Sequence, residues 1–229
     1  MKRLTATPAL AFLMIAVCTA GERIVLRVES DAEQGATAFR DSSPLGQHVT
    51  PFGKTHHSTT HKKTGRSSIR FQGGADRLEV AAGPAFVFGT DDFRLECWLR
   101  PQGQGRRFIC GQAPRDGAYL RASLGMVIEA DGRLRASVQT TVRAYLVFAP
   151  KESWDDGEWH HVSFRREGDE FRLLVDDKVH DRLFVGEEAA NESDQPFAIG
   201  RAGAFPTDPY RGYIDDFTIR RQPRHITDF

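Results

Sequence analysis

Net charge is the first thing this chain does without: its 31 lysines and arginines are cancelled by 31 aspartates and glutamates. A nucleic-acid surface calls for a basic stripe and an anionic bilayer for a basic excess, so neither is expected as a partner. Helical periodicity is the second absence. Beyond the first twenty residues no window of 11 to 18 residues carries apolar side chains at a 3.6-residue period. Catalytic signatures are missing as well: there is no G-x-S-x-G elbow and no glycine-rich phosphate loop. The longest apolar run, Ala9 to Val17, falls far short of the roughly 20 residues that span a bilayer. Cysteine is scarce, with three in all.

What is present begins with an export signal. Lys2 and Arg3 form a basic start, the run ALAFLMIAV follows, and Cys18-Thr19-Ala20 supplies small residues before Gly21. Cleavage after Ala20 is the reading adopted, giving a signal peptide over residues 1–20 and a folded domain over 21–229. A lipid anchor at Cys18 is the less favoured alternative, because Val17 is bulky where a lipoprotein signal has a small residue. The expected location is secreted, periplasmic or at the cell surface. Cys97 and Cys110 remain. The stretch CWLRPQGQGRRFIC reads as two strands about Gln102–Gly105, which sets Cys97 opposite Cys110 within disulfide reach. Two buried free thiols are the alternative; the bond is slightly favoured in an oxidising compartment.

The rest of the chain is short alternating runs. FRLECWLR (93–100) and EFRLLVDD (170–177) place apolar residues at every second position, and HHVSFRR (160–166) and YIDDFTIRR (213–221) read as strands too. Gly73-Gly74, Asp116-Gly117, Asp131-Gly132, Asp156-Gly157, Gly168-Asp169 and Asp176-Asp177 punctuate them. About a dozen such strands, with 21 Gly and 16 Phe, mean an antiparallel sandwich or barrel. GEEAANESD (186–194) reads as a loop.

Five segments then become specific: FVFGTDDFRLECWLRP (86–101), GRSSIRFQGGADRLEV (65–80), WDDGEWHHVSFRREGDEFRLLVDDKVHD (154–181), FAIGRAG (197–203) and YRGYIDDFTIRR (210–221). Taken in chain order they resemble the laminin-G-like domains of the concanavalin A-like lectin/glucanase superfamily, over nearly all of Ile24 to Phe229. The resemblance implies an all-β antiparallel jelly roll, two curved sheets stacked as a β-sandwich. Lys178 stands where that pattern has a hairpin glycine, so a less favoured Asp177-Lys178 turn is expected.

Two groups of carboxylates stand out. VESDAEQG (28–35) carries Glu29, Asp31 and Glu33 at alternate positions, like the catalytic row of a β-sandwich glycosidase. Ser30 and Ala32 give the other face little to bury, and Gln34-Gly35 breaks the strand, so the row reads as a turn and no catalytic residue is assigned. By resemblance, the first acidic turn and the closing-strand aspartate can hold a calcium ion, here Asp215 with Glu29 or Asp31. The alternative is that Asp215 caps a turn through backbone N–H groups.

The histidines read as framework: His160 and His161 in a strand, and His56, His57 and His61, with Lys54, Lys62 and Lys63, in a solvated loop rather than a zinc site. Sugar stacking needs exposed aromatics near strand ends. Trp154, Tyr119, Tyr145 and Tyr210 are the candidates, while Trp98 and Trp159 are expected in the core. The resulting expectation is a non-catalytic binding domain for a glycan or an extracellular protein. Its rivals are a glycan-cleaving enzyme using Glu29, Asp31 and Glu33, and a structural, self-associating module.

Overall fold

The computed structural model describes residues 21–114, 122–151, 154, 156–202 and 208–224. Signal, cleavage site, Cys18 and Tyr119 lie outside the described residues.

Sixteen strands follow one another among the described residues. The first six are β1 (Arg23–Glu29), β2 (Arg40–Asp41), β3 (Val49–Phe52), β4 (His56–Ser58), β5 (Ser68–Gln72) and β6 (Arg77–Val80). After a short 3₁₀ turn at Pro84–Phe86 come β7 (Asp92–Pro101), β8 (Arg107–Gly111), β9 (Leu124–Ile128), β10 (Leu134–Gln139) and β11 (Ala144–Ala149). The last five are β12 (His160–Glu167), β13 (Glu170–Val175), β14 (Lys178–Phe184), β15 (Phe197–Ile199) and β16 (Arg211–Gln222). They form two antiparallel sheets. The larger runs β14-β13-β12-β7-β16-β1-β2, with β5 also on β16 and β4 beyond it; the smaller runs β11-β10-β9-β8-β15-β6-β3.

Period-two alternation sorts the side chains. In β7 the residues Phe93, Leu95, Cys97 and Leu99 are buried, while Arg94, Glu96, Trp98 and Arg100 face away from the second sheet. The buried halves of both sheets meet in one hydrophobic cluster. Phe93 packs edge-on against Phe88 at 5.2 Å and Phe164 at 5.4 Å, and Phe171 closes the group. Arg166 shares this interior. Its buried guanidinium is met by the carbonyls of Gly186 at 2.7 Å, Glu188 at 2.8 Å and Gly89 at 3.2 Å, which ties the turns at one end of the sandwich.

Several details depart from expectation. Asp176 (φ 50°) and Asp177 (φ 61°) form the turn between β13 and β14, with Val175 paired to Lys178. The hairpin is thus one residue earlier than Asp177-Lys178, on two aspartates that tolerate positive φ. The runs 49–52, 144–149 and 178–184 are strands too short or too irregular in pattern for sequence to declare. No helix among the described residues is long and apolar enough to cross a membrane.

The cysteine hairpin is corrected. β7 and β8 lie in different sheets, because each ladder is already taken: Cys97 sits opposite Val162 on β12, and Cys110 opposite Met126 on β9. The two are buried free thiols in the common core. Burial pushes both thiol pKa values well above the ordinary range, and the proximity of Cys110 raises that of Cys97 further. A thiol-reactive disulfide reagent should therefore leave Cys97 and Cys110 unmodified in the folded protein and react with both in denaturant; reaction of either under native conditions contradicts this core.

Candidate functional site

The outer face of the larger sheet is built by register. His161 lies opposite Trp98, and Trp98 opposite Asp215. One step along the strands, Arg100 lies opposite Tyr213, and Tyr213 opposite Arg70. Directly opposed residues share a face, so Trp98, His161, Tyr213, Arg70 and Arg100 form a contiguous patch. Trp159, just before β12, adds its indole 6.5 Å from the Tyr213 ring. Trp98, Trp159 and His161 are half-buried. Gly212 makes the close pairing possible: its φ is 134°, and a Cβ there would stand 2.4 Å from the Arg100 carbonyl.

The KTHHSTTHKK segment folds onto this patch instead of standing in solvent. Lys63 and Thr64 donate their backbone N–H groups to Asp215 Oδ2 at 2.8 and 2.9 Å. The Lys63 ammonium lies 4.2 Å over the Trp98 ring. His61 sits edge-on to Tyr213 at 4.8 Å and accepts a hydrogen bond from Arg100 Nη1 at 3.0 Å. The Arg70 guanidinium covers Tyr213 at 4.5 Å. The result is a shelf of aromatic rings interleaved with three cations.

His56 and His57 belong to β4, not to a loop. His57 is buried against Phe39 at 4.3 Å, with Nδ1 on Ser30 Oγ at 3.0 Å and Nε2 on the Ala38 carbonyl at 2.9 Å. Burial lowers its pKa, and a neutral ring with Nε2–H donating satisfies both contacts.

The carboxylates do not converge. Asp215 is almost wholly buried, and besides Lys63 and Thr64 it accepts the Asp216 N–H on Oδ1 at 2.9 Å. Burial raises its pKa, against the pull of those backbone donors. Asp31 accepts the Arg66 N–H at 2.6 Å, and Glu29 is exposed beside Arg27 at 3.4 Å. No group of three or more His, Cys, Asp or Glu side chains among the described residues is placed to hold a metal ion. Asp215 caps the turn that carries Lys63 and Thr64. Nor do Glu29, Asp31 and Glu33 share a strand face, because β1 ends at Glu29 and Glu33 begins a turn closed by the Ala36 N–H.

The aromatic assignments are reversed. Tyr210 is 0% exposed, Trp154 1% and Tyr145 5%, so none can offer a ring face to a ligand. Tyr210 packs on Phe71 at 5.8 Å, and the Tyr145 hydroxyl donates to Glu188 at 2.6 Å. Trp98 and Trp159, expected inside, are the ones outside. The signal was available: with Phe93, Leu95, Cys97 and Leu99 inward, position 98 has to point out.

Beside the shelf, His160 is held by two carboxylates, Asp176 at 2.6 Å and Asp156 at 3.0 Å. Burial opposes a charged ring, but the hydrogen bonds to Asp176 and Asp156 outweigh it and raise the pKa above the ordinary value near 6.5. This clamp fixes the turn that carries Trp159.

Comparison with known proteins places this geometry. A laminin G family model, described as the Concanavalin A-like lectin/glucanases superfamily, matches residues 72–225. No curated protein matches. Among solved structures, the binding domain of Paraclostridial Mosquitocidal Protein 1 is similar with a TM-score of 0.69 and 12% identity, covering 89% of this chain and 50% of that one. The botulinum neurotoxin serotype G binding domain gives 0.64 and 14%, covering 86% and 47%. The binding domain of botulinum neurotoxin DC, solved in complex with SialylT, gives 0.63 and 12%, covering 86% and 47%. This chain therefore spans about half the length of these structures, and at such identity the likeness is one of fold.

Two outcomes follow for the site. Asp215→Ala orphans three backbone donors and should lower stability by roughly 1–3 kcal/mol in urea unfolding, with a change in Trp fluorescence as Lys63 leaves Trp98; an unchanged midpoint and spectrum would refute the cap. His160, with a raised folded pKa, adds stability that is complete below the unfolded value near 6.5 and fades as pH rises through the folded one. His160→Gln should accordingly narrow its deficit against wild type as pH rises from acid to alkaline, and a pH-independent deficit would rule out the charged clamp.

Proposed function

The chain belongs to the laminin-G-like branch of the concanavalin A-like lectin/glucanase superfamily, and on that premise we propose that it is an exported, non-catalytic domain that binds a glycan on the shelf of Trp98, Trp159 and His161, with buried Tyr213 as its backing. The observation that carries this reading is two half-buried indoles on one sheet face, Trp98 5.1 Å from the His161 ring and Trp159 6.5 Å from the Tyr213 ring, with three cations among them. Sugars present apolar C–H faces that stack on aromatic rings and hydroxyls that accept from Arg and Lys donors.

Lys63 over Trp98 does not obstruct the site. An exposed cation–π contact is worth about 0.5–1 kcal/mol, and the lysine stem is long and exposed. A sugar ring can displace the ammonium from the indole and receive a hydrogen bond from it. Absence of catalysis is supported by the dispersal of Glu29, Asp31 and Glu33 and by solved relatives that are binding domains. Export rests on the sequence of residues 2–20. The reading assigns calcium no part, since Asp215 and Asp31 already accept backbone N–H donors.

A second reading, adhesion to a protein, has one observation in its favour: edge strand β14 exposes Val179 at 45%, Leu183 at 37% and Phe184 at 70%. Such a contact is separable, since Phe184→Ser would abolish it and leave sugar retention intact.

A glycan array on residues 21–229, run with calcium and with chelator, tests the main reading. Retention of at least one glycan class is expected in both conditions, with Trp98→Ala and Trp159→Ala each weakening it by roughly tenfold or more at an unchanged melting temperature. An array that retains nothing, or variants that bind like wild type, would remove the shelf as the site.

A further inference from the structure

The same sheet face carries a second register feature. Arg182 on β14 is opposite Arg172 on β13, Arg172 is opposite Arg165 on β12, Arg165 is opposite Arg94 on β7, and Arg94 is opposite Arg220 on β16. Five arginines thus cross five neighbouring strands in single file. At 4.7–4.9 Å between strands the file is about 19 Å long. Like charges set directly opposite each other destabilise a sheet, so this arrangement works against folding unless something neutralises it.

Neutralisation within the chain is incomplete. Glu167 lies 2.6 Å from Arg172 and 3.5 Å from Arg165, Glu170 lies 2.8 Å from Arg172, and Glu96 and Glu22 lie 3.3 and 3.6 Å from Arg220. Arg94, the fourth in the file, and Arg182, at its end, have no carboxylate at ion-pair distance among the described residues. Glu167 shows what fits: one carboxylate spanning two adjacent guanidiniums of the row. Arg94, between Arg165 and Arg220, repeats that setting without the carboxylate.

We propose that the row binds a linear polyuronate, a polysaccharide with a carboxylate on each sugar, laid across the strands so that its carboxylates bridge successive arginines. The proposal deepens the glycan reading above and rests on it. Arg94 and Trp98 share the outer side of β7, four residues and about 13 Å apart, so one chain of a few sugars reaches from the row to the shelf. Guanidinium forks favour planar carboxylates through paired hydrogen bonds. Nucleic acid fits less well: DNA places a charge every 3.4 Å along each strand, more densely than the row, and Glu22, Glu96, Glu167 and Glu170 repel such a density.

The experiment measures retention of residues 21–229 on polygalacturonate, dextran sulfate, uncharged dextran and an oligothymidylate. Wild type, Arg94→Gln and Trp98→Ala are compared, at low salt and at about 0.3 M salt. Polygalacturonate should bind most tightly and weaken by roughly tenfold in Arg94→Gln, while the melting temperature holds or rises as the opposed charges are relieved. Equal binding to dextran sulfate or oligothymidylate, with the same loss in the variant, would overturn the carboxylate assignment in favour of plain charge attraction. If neutral glycans bind and Trp98→Ala abolishes them while polygalacturonate is ignored, the row falls and the shelf stands. If polygalacturonate binds with Arg94→Gln sensitivity but Trp98→Ala is silent, the row stands and the shelf fails. Arg94→Gln binding polygalacturonate like wild type ends the proposal.

Discussion

A single bulge in β16 organises the whole outer face of the larger sheet. Between Asp215, opposite Trp98, and Thr218, opposite Glu96, β16 has two residues where β7 has only Cys97. Asp216 absorbs the extra residue at φ 47°, a conformation that an aspartate tolerates. Past the bulge, β16 returns to pairing with β1 and sends Phe217 and Ile219 into the core. Before it, Asp215 stays on the outer side, buried under the His61–Thr64 segment and committed to three backbone donors. Remove that carboxylate, and the segment that carries His61 and Lys63 onto the aromatic rings loses its anchor.

The two features proposed for binding on this face come from the same geometry. Strand alternation turns every even residue of β7 outward, so Arg94, Glu96, Trp98 and Arg100 form a column from charge to aromatic. Neighbouring strands repeat the arrangement in register, which converts columns into rows: an arginine row at Arg94, a polar row of Glu96, Ser163 and Thr218, and the aromatic row at Trp98. None of these rows is needed to build the core. Like charges set opposite one another work against a sheet, which is the pattern expected where a surface serves a ligand.

Legibility was uneven, for physical reasons. The long alternating strands β7, β12, β13 and β16 were readable because each buries one face, and burial imposes a period of two on apolar residues. Edge strands such as β14, open to solvent, carry no such imprint, and β4 was hidden inside a basic, histidine-rich run. For the aromatics, nearness to a strand end is a poor guide to exposure, and the parity of position 98 against Phe93, Leu95 and Leu99 is the better one. Cys97 and Cys110 looked like a hairpin pair because the intervening turn is equally suited to carrying the chain from one sheet to the other.

By itself, then, the chain's order of residues determined an antiparallel all-β sandwich and the family it resembles, since both follow from local alternation and turn chemistry. The tertiary structure alone decided which residues share a face across strands: that Asp215 caps the His61–Thr64 segment, that Lys63 meets Trp98 from 35 positions away, and that five arginines distant in sequence stand in one file. Register between strands depends on how both faces of every strand are buried at once, and no single segment encodes it.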